Sequence, residues 1–231
     1  MSGEQFMLRP LTASELKVLL GDNFINTFQT EMNKIIEPLR KYISRGYPLS
    51  MGKELWEYVV ADSIEGATWN GAGSSVADVL KPISADQAIA FDVKTVGCSE
   101  KSKISGEASM LQSYNQDNKI HFKDGNGQAL WDNYIGGWQE KIKGFEKYYL
   151  LGIIRSKETL DCSLIAFEAT GTSPMFTEGN FEFISKSGKI KGVVDPEFAK
   201  IRYVNAKSRI EIQFLKRAWT DSAYCLNIFK G

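Results

Sequence analysis

The chain has 231 residues, 43% of them apolar and 24% charged, with 28 basic side chains against 28 acidic ones. That is enough for one full hydrophobic core with embellishments, and a zero net charge argues against a protein that coats nucleic acid without selectivity. No apolar run approaches the ~20 residues of a membrane span, the N-terminus lacks the basic-then-apolar layout of a signal peptide, and Cys98, Cys162 and Cys225 lie too far apart in sequence for a disulfide framework or a zinc site. The expectation is a cytoplasmic protein with reduced thiols.

Taken in order, Leu11 to Leu20 and Asn23 to Ile43 read as helices, the second kinked or split at Pro38. Gly52 to Glu65 reads as a third helix with an apolar face, and strands follow at about 75–81 and 87–95. Between them and the third helix, Gly71-Ala-Gly73 lacks the Gly-Lys-Ser/Thr ending of a phosphate loop and reads as a turn. Glu107 to Tyr114 reads as a short helix, Asn-Gln-Asp117-Asn-Lys119 as a turn, and the sole histidine, His121, as a packed or half-exposed strand residue. Trp131 to Phe145 is helical in spacing, with Trp131 and Trp138 on the core face and Gly136-Gly137 a weak point. Two strong strands come next, Tyr148 to Ile154 and Leu160 to Phe167, and the remainder is β-rich, with clean alternation from Lys207 to Leu215. The sum is a mixed α/β protein.

The most informative segment runs from Ser75 to Thr95. Asp92 and Lys94, one residue apart in Ala-Ile-Ala-Phe-Asp-Val-Lys-Thr, point to the same face of a strand, while Phe91 and Val93 point to the other. Charges inside so apolar a run are costly unless paired, hydrogen-bonded or holding a metal. A second carboxylate, Asp78, lies on the preceding apolar stretch, and the Pro-, Ser- and Asp-containing segment between them can turn the chain back as a hairpin. In that register Asp78 reaches Asp92, and the two repel unless a divalent cation such as Mg²⁺ or Mn²⁺ lies between them. The acidic-x-Lys pattern also occurs at Glu15-Leu-Lys17, in a helical segment, and at Asp117-Asn-Lys119, in a polar stretch; only Asp92 has an apolar strand around it. The alternative reading is a purely structural Asp92–Lys94 pair at a strand end.

On these residues the chain resembles the PD-(D/E)XK nuclease superfamily, the fold of most type II restriction endonucleases. Asp78 matches the first acidic position, with Ala77 where a proline often stands, and Asp92, Val93 and Lys94 match the (D/E)XK element. The helix with Glu54 and Glu57 resembles the family's upstream Glu-bearing helix, and Glu57, just before Tyr-Val-Val, is the favoured carboxylate. The resemblance covers roughly residues 50–168. It implies a central mixed β-sheet flanked by helices and a β-rich C-terminal embellishment, in one nuclease domain over 1–231 made of N-terminal helices (1–49), a catalytic core (50–168) and a basic recognition region (169–231). It also implies that Asp78, Asp92 and the Val93 carbonyl hold Mg²⁺, replaceable by Mn²⁺, that Lys94 orients or deprotonates the attacking water, and that Glu57 positions Lys94 or completes a second metal site.

Between residues 183 and 217 nine basic residues face three acids. Of these Lys186, Lys189, Lys191, Arg202, Lys207 and Arg209 are the candidate contacts to phosphates and base edges, with a solvated strand face as the alternative for any one of them. The size of the chain and this region most resemble an orthodox type II enzyme, which implies a prokaryotic or phage-encoded homodimer cutting double-stranded DNA to 5′-phosphate and 3′-hydroxyl ends. A structure-selective nuclease of the same superfamily and a non-catalytic DNA-binding protein are the alternatives.

Overall fold

The computed structural model describes residues 7–45, 51–71, 77–98, 104–111, 116–156, 161–170, 181–184, 186–207 and 209–230. Its elements, in chain order, are Leu8–Pro10 (β1), Ala13–Leu20 (α1), Phe24–Ile36 (α2), a 3-10 turn over Glu37–Leu39, Arg40–Ile43 (α3), Lys53–Ser63 (α4), Thr68–Trp69 (β2), Val79–Pro82 (β3), Ala88–Cys98 (β4) and Ile104–Leu111 (β5). Then come Gln116–Lys123 (α5), Gly127–Lys143 (α6), Lys147–Ser156 (β6), Cys162–Ala169 (β7), Phe181–Ile184 (β8), Ser187–Ile190 (β9), Ala199–Val204 (β10), a 3-10 turn over Asn205–Lys207, Arg209–Leu215 (β11), Lys216–Thr220 (α7) and Leu226–Phe229 (β12).

The N-terminal helices form as their local chemistry dictates. Thr12 caps α1 in a complete capping box with Glu15, and Gly21 ends it with φ +91°, a conformation that L side chains rarely adopt. Phe24, Phe28, Met32 and Ile36 recur at fourfold spacing on α2 and are all buried. Pro38 splits the following segment into the 3-10 turn and α3, as its missing N–H requires.

Two sheets are built from the strands. The first runs β1-β7-β6-β4-β3-β2, with β12 also on β7, and its β4–β6 pair is parallel while the other pairs are antiparallel. β1 and β12 lie along the same edge of β7, β1 against Phe167 to Ala169 and β12 against Cys162 to Leu164. The second is an antiparallel sheet in the order β5-β11-β10-β9-β8. The protein is therefore a mixed central sheet flanked by helices, with a separate antiparallel sheet formed mostly by its C-terminal part. The strands ignore the boundaries of the sequence segments: β5 crosses to the second sheet, and β12 returns to the first.

Each face of the central sheet has its own core. Val79, Phe91, Val93, Leu151 and Ile153 pack with α1, α2 and α4, whereas Ala90, Val96, Leu150, Ile154 and Phe167 pack with Trp131, Tyr134 and Trp138 of α6 and with Ile201, Tyr203, Ile212 and Phe214 of the second sheet. The two tryptophans are core residues, as their spacing predicts, and the three cysteines are buried free thiols. Among the described residues no helix is long and apolar enough to cross a membrane.

Two local expectations are corrected. Residues 107–111 are not the start of a helix but part of strand β5, because Gly106 to Leu111 pairs along β11, and tertiary pairing outweighs the weak strand preference of Gly, Glu, Ala and Ser; residues 112–114 of that expectation lie outside the described residues. Asp117 is not in a turn and His121 is not on a strand: both belong to α5. The alternating Ile120-His-Phe122 pattern misleads because Ile120 is 54% exposed, while Phe122 packs against Phe181, Phe183 and Tyr203.

Gly152 lies between its cross-strand neighbour Ile165 and Phe214 of the second sheet. A Cβ there would stand 2.9 Å from Ile165 Cγ1 and 3.2 Å from the Phe214 ring, which is fully buried. Gly152→Val is expected to lower stability by about 1–3 kcal/mol through overpacking, read as a lower urea midpoint; an unchanged midpoint would mean the sheets yield freely at this contact.

Candidate active site

β4 has eleven residues and β3 only four, so β4 runs on beyond the hairpin. Val79 lies opposite Phe91, which leaves Asp78 beside Asp92 where the two strands part. The Asp78 N–H donates to the Phe91 carbonyl (3.0 Å), and the Val93 N–H donates to Asp78 Oδ2 (2.7 Å). N–H and C=O of one strand residue point to the same side, so the Val93 carbonyl also opens toward Asp78. Helix α4 approaches from one face of the sheet and α6 from the other.

Glu57, on α4, is 1% exposed and faces this fork, whereas Glu54 is on the exposed side of the helix. Glu57 Oε2 accepts from Trp69 Nε1 (3.3 Å), and Glu57 Oε1 lies 2.7 Å from Lys53 Nζ yet accepts no hydrogen bond of good geometry. Lys53 Nζ also reaches Asp78 Oδ1 at 3.4 Å. Lys94 Nζ donates to Asp92 Oδ1 in a very short contact and stands 3.6 Å from Asp78 Oδ2. From α6, Lys141 Nζ donates to Asp92 Oδ2 at 3.1 Å and sits over the Tyr148 ring. The Tyr148 hydroxyl shares a hydrogen bond with Asp92, and burial followed by the Asp92 charge raises its pKa.

The four expected residues, Glu57, Asp78, Asp92 and Lys94, thus come together. Sequence reasoning missed Lys53, Lys141 and Tyr148. Two of these carry a signal: Lys53 stands one helical turn before Glu57, and Lys141 continues the buried Tyr134–Trp138 stripe of α6, where a charge needs a partner.

Electrostatics separates the two aspartates. Burial pushes Asp92 up, but Lys94 and Lys141 outweigh it and bring the group down to about 2. Asp78 also faces two lysines, but at the longer distances of 3.4 and 3.6 Å, and burial, then the adjacent Asp92 carboxylate, raise it from 3.8 to about 6. One acid is held ionised by cations while its neighbour resists ionisation, a separation typical of reactive carboxylate pairs.

The donor set suits a hard divalent cation: three carboxylates, of which Glu57 has a buried oxygen without a hydrogen bond, and one backbone carbonyl. Among the described residues no three acidic, histidine or cysteine side chains form a ready-made cage, and ammonium groups lie beside each of the carboxylates.

The basic residues of the C-terminal region gather elsewhere. Lys186, Lys189 and Lys191 are exposed on or beside the β8–β9 hairpin, and Lys191 pairs with Glu182 at 2.9 Å. Arg202 and Arg209 both turn to Glu211, which is 1% exposed, at 3.4 and 2.7 Å. Lys207 is placed in the 3-10 turn before β11, and its side chain lies outside the described residues. In register, Glu182, Lys189, Arg202 and Glu211 form one row across the second sheet.

No protein-family model matches the chain, and no curated protein or solved structure is significantly similar to it.

Asp78 supplies a test of the electrostatics. Its raised pKa means the metal-free fold holds this proton more tightly than the unfolded chain, so its contribution is fully present below 3.8 and is lost as pH rises through about 6. In EDTA, Asp78→Asn is expected to have a higher urea midpoint than the parent protein at pH 8, with the gap closing toward pH 4. A midpoint at pH 8 at or below the parent's would show that the carboxylate is stabilising as an anion.

Proposed function

We propose that the protein is a Mg²⁺-dependent, sequence-specific double-stranded DNA endonuclease of the type II restriction class, with a PD-(D/E)XK site. The observation that carries this reading is the convergence of Glu57, Asp78, Asp92 and Lys94 at the open end of the β3–β4 hairpin, from a helix and two strands. An Asp–x–Lys tripeptide is a weak sign alone. Its placement beside a second aspartate and a buried helix glutamate is far more restrictive.

Asp78, Asp92 and the Val93 carbonyl would hold the cation, which when bound supplies Lewis-acid stabilisation of the phosphate and lowers the pKa of a water. Lys94, already aimed between the two aspartates, orients the attacking water and offsets the negative charge that develops on the phosphate. Lys141 and the Tyr148 hydroxyl fix Asp92 from the α6 side, so its oxygens keep one orientation. Glu57 is held by Trp69 and is placed to take part in a second cation position or to position a lysine. Hydrolysis would leave 5′-phosphate and 3′-hydroxyl ends. The exposed lysines of the β8–β9 hairpin suit phosphate contact, and Arg202 and Arg209, oriented by Glu211, suit base-edge contact. A homodimer would match the two-fold symmetry of a palindromic site, in the cytoplasm of a prokaryote or a phage-infected cell.

One feature favours a second reading within the same superfamily. Tyr58 and Trp69, 49% and 38% exposed, meet edge to face beside Glu57, and exposed aromatic rings stack on unpaired bases. A structure-selective nuclease would use such a pair on branched or nicked DNA.

The purified protein incubated with unmethylated phage genomic DNA is expected to yield discrete fragments with Mg²⁺ and none with EDTA. Asp92→Ala and Lys94→Ala should each reduce cleavage by at least about a hundredfold while DNA binding and folding persist. Undiminished cleavage in either variant would overturn the assignment. Cleavage of branched but not linear substrates would select the second reading, and DNA binding without any metal-dependent cleavage would leave a binding protein.

A further inference from the structure

The site as it stands is electrically closed without a metal. Three carboxylates, Glu57, Asp78 and Asp92, face three ammonium groups, Lys53, Lys94 and Lys141. Lys53 Nζ lies between Glu57 Oε1 and Asp78 Oδ1, at 2.7 and 3.4 Å, and so stands where a cation shared by those two groups would stand. We propose that Lys53 is an internal counter-ion occupying the Glu57–Asp78 half of the site, and that a divalent cation is held there only when Lys53 swings out. The proposal rests on the metal-dependent reading above and says which residue opposes the metal.

Two considerations single out Lys53. The first is mobility. The Lys53 side chain is 50% exposed, against 13% for Lys94 and 20% for Lys141. Lys94 is held tightly by Asp92, and Lys141 is held by Asp92 and the Tyr148 ring. Lys53 stands at the first position of α4, where its flexible stem can carry the ammonium group into water without disturbing a buried contact other than its own. The second is charge. Adding a divalent cation to a neutral cluster leaves two surplus positive charges in a half-buried space. Departure of Lys53 removes one, and arrival of one phosphodiester anion removes the other. Metal and substrate phosphate then support each other, and by reciprocity each strengthens the binding of the other. Metal alone must still displace Lys53, which weakens its binding.

The poor geometry at Glu57 points the same way. Its Oε1 is buried and close to Lys53 but makes no proper hydrogen bond, so it is the oxygen with most to gain from a different cation.

The test is Mn²⁺ binding to the full chain without DNA, followed by electron paramagnetic resonance, for the parent protein, Lys53→Met and Lys53→Gln. Loss of one cation this close to the metal position should tighten Mn²⁺ binding about tenfold or more in both variants. Lys53→Gln retains a polar side chain in case the methionine variant folds poorly. A short DNA duplex with Ca²⁺ in place of Mg²⁺ provides the second readout: metal affinity should rise on adding DNA more in the parent protein than in the variants. Equal or weaker Mn²⁺ binding by the folded variants would overturn the role given to Lys53 while leaving the metal site standing. Absence of Mn²⁺ binding in all three proteins, or Mn²⁺ binding that Asp92→Asn leaves unchanged, would overturn the metal-dependent reading and the proposal with it.

Discussion

A carboxylate buried as deeply as Asp92 has to be met by cations and hydrogen bonds from every direction, because the cost of stripping its water is several kcal/mol if left uncompensated. Lys94 comes from its own strand, Lys141 from α6 on one side of the sheet, and Tyr148 from the neighbouring parallel strand. Asp78 is drawn in by the Val93 N–H, and Glu57 and Lys53 complete the group from α4 on the other side. Meeting the needs of this pair of aspartates therefore ties both helices to β4, α6 through Asp92 and α4 through Asp78. The apolar contacts that flank the cluster, Phe91 and Val93 toward α4, Ala90 and Val96 toward α6, supply the burial that makes the electrostatics strong.

The second sheet applies the same principle on a smaller scale. Glu211 is buried between Arg202 and Arg209, so two guanidinium groups are oriented by a carboxylate before any ligand arrives. Such orientation restricts rotamers in advance and favours geometric selectivity over raw attraction. Lys186 and Lys189 on the adjoining hairpin are exposed by comparison.

Much of this arrangement was legible in the primary structure. Phe91-Asp-Val-Lys94 reads as a strand by alternation, and a turn between Pro82 and Ala88 puts Asp78 next to Asp92 in a register that also buries Val79 and Phe91. Glu57 is distinguished from Glu54 by the apolar run that follows it. What escaped were elements decided by distant partners. β5 has a composition that suits a helix, and only its pairing with β11, a hundred residues away in sequence, makes it a strand. α5 imitates a strand through Ile120 and Phe122, although only one of them finds a core. Lys141 and Lys53 escaped because a lysine on a helix is ordinarily a solvated residue, and its role depends on what the other face of the sheet presents. The boundaries drawn at 168 and 169 could not anticipate β12, whose Leu226, Ile228 and Phe229 belong to the same core as the N-terminal helices.

The outer edge of β7 is covered by two strands laid end to end, one from the beginning of the described chain and one from near its end. On a ribosome this has a temporal consequence. Cys162 to Leu164 are synthesised some sixty residues before Leu226 to Phe229, which hold their partners, so the newly made β7 presents an open row of backbone donors and acceptors while the second sheet is still being translated. β1, made long before, can close only the other half of that edge. The nascent chain thus passes through a stage with a half-finished sheet, in which the risk of pairing with the wrong partner is greatest, and that stage lasts until residues 226–229 emerge.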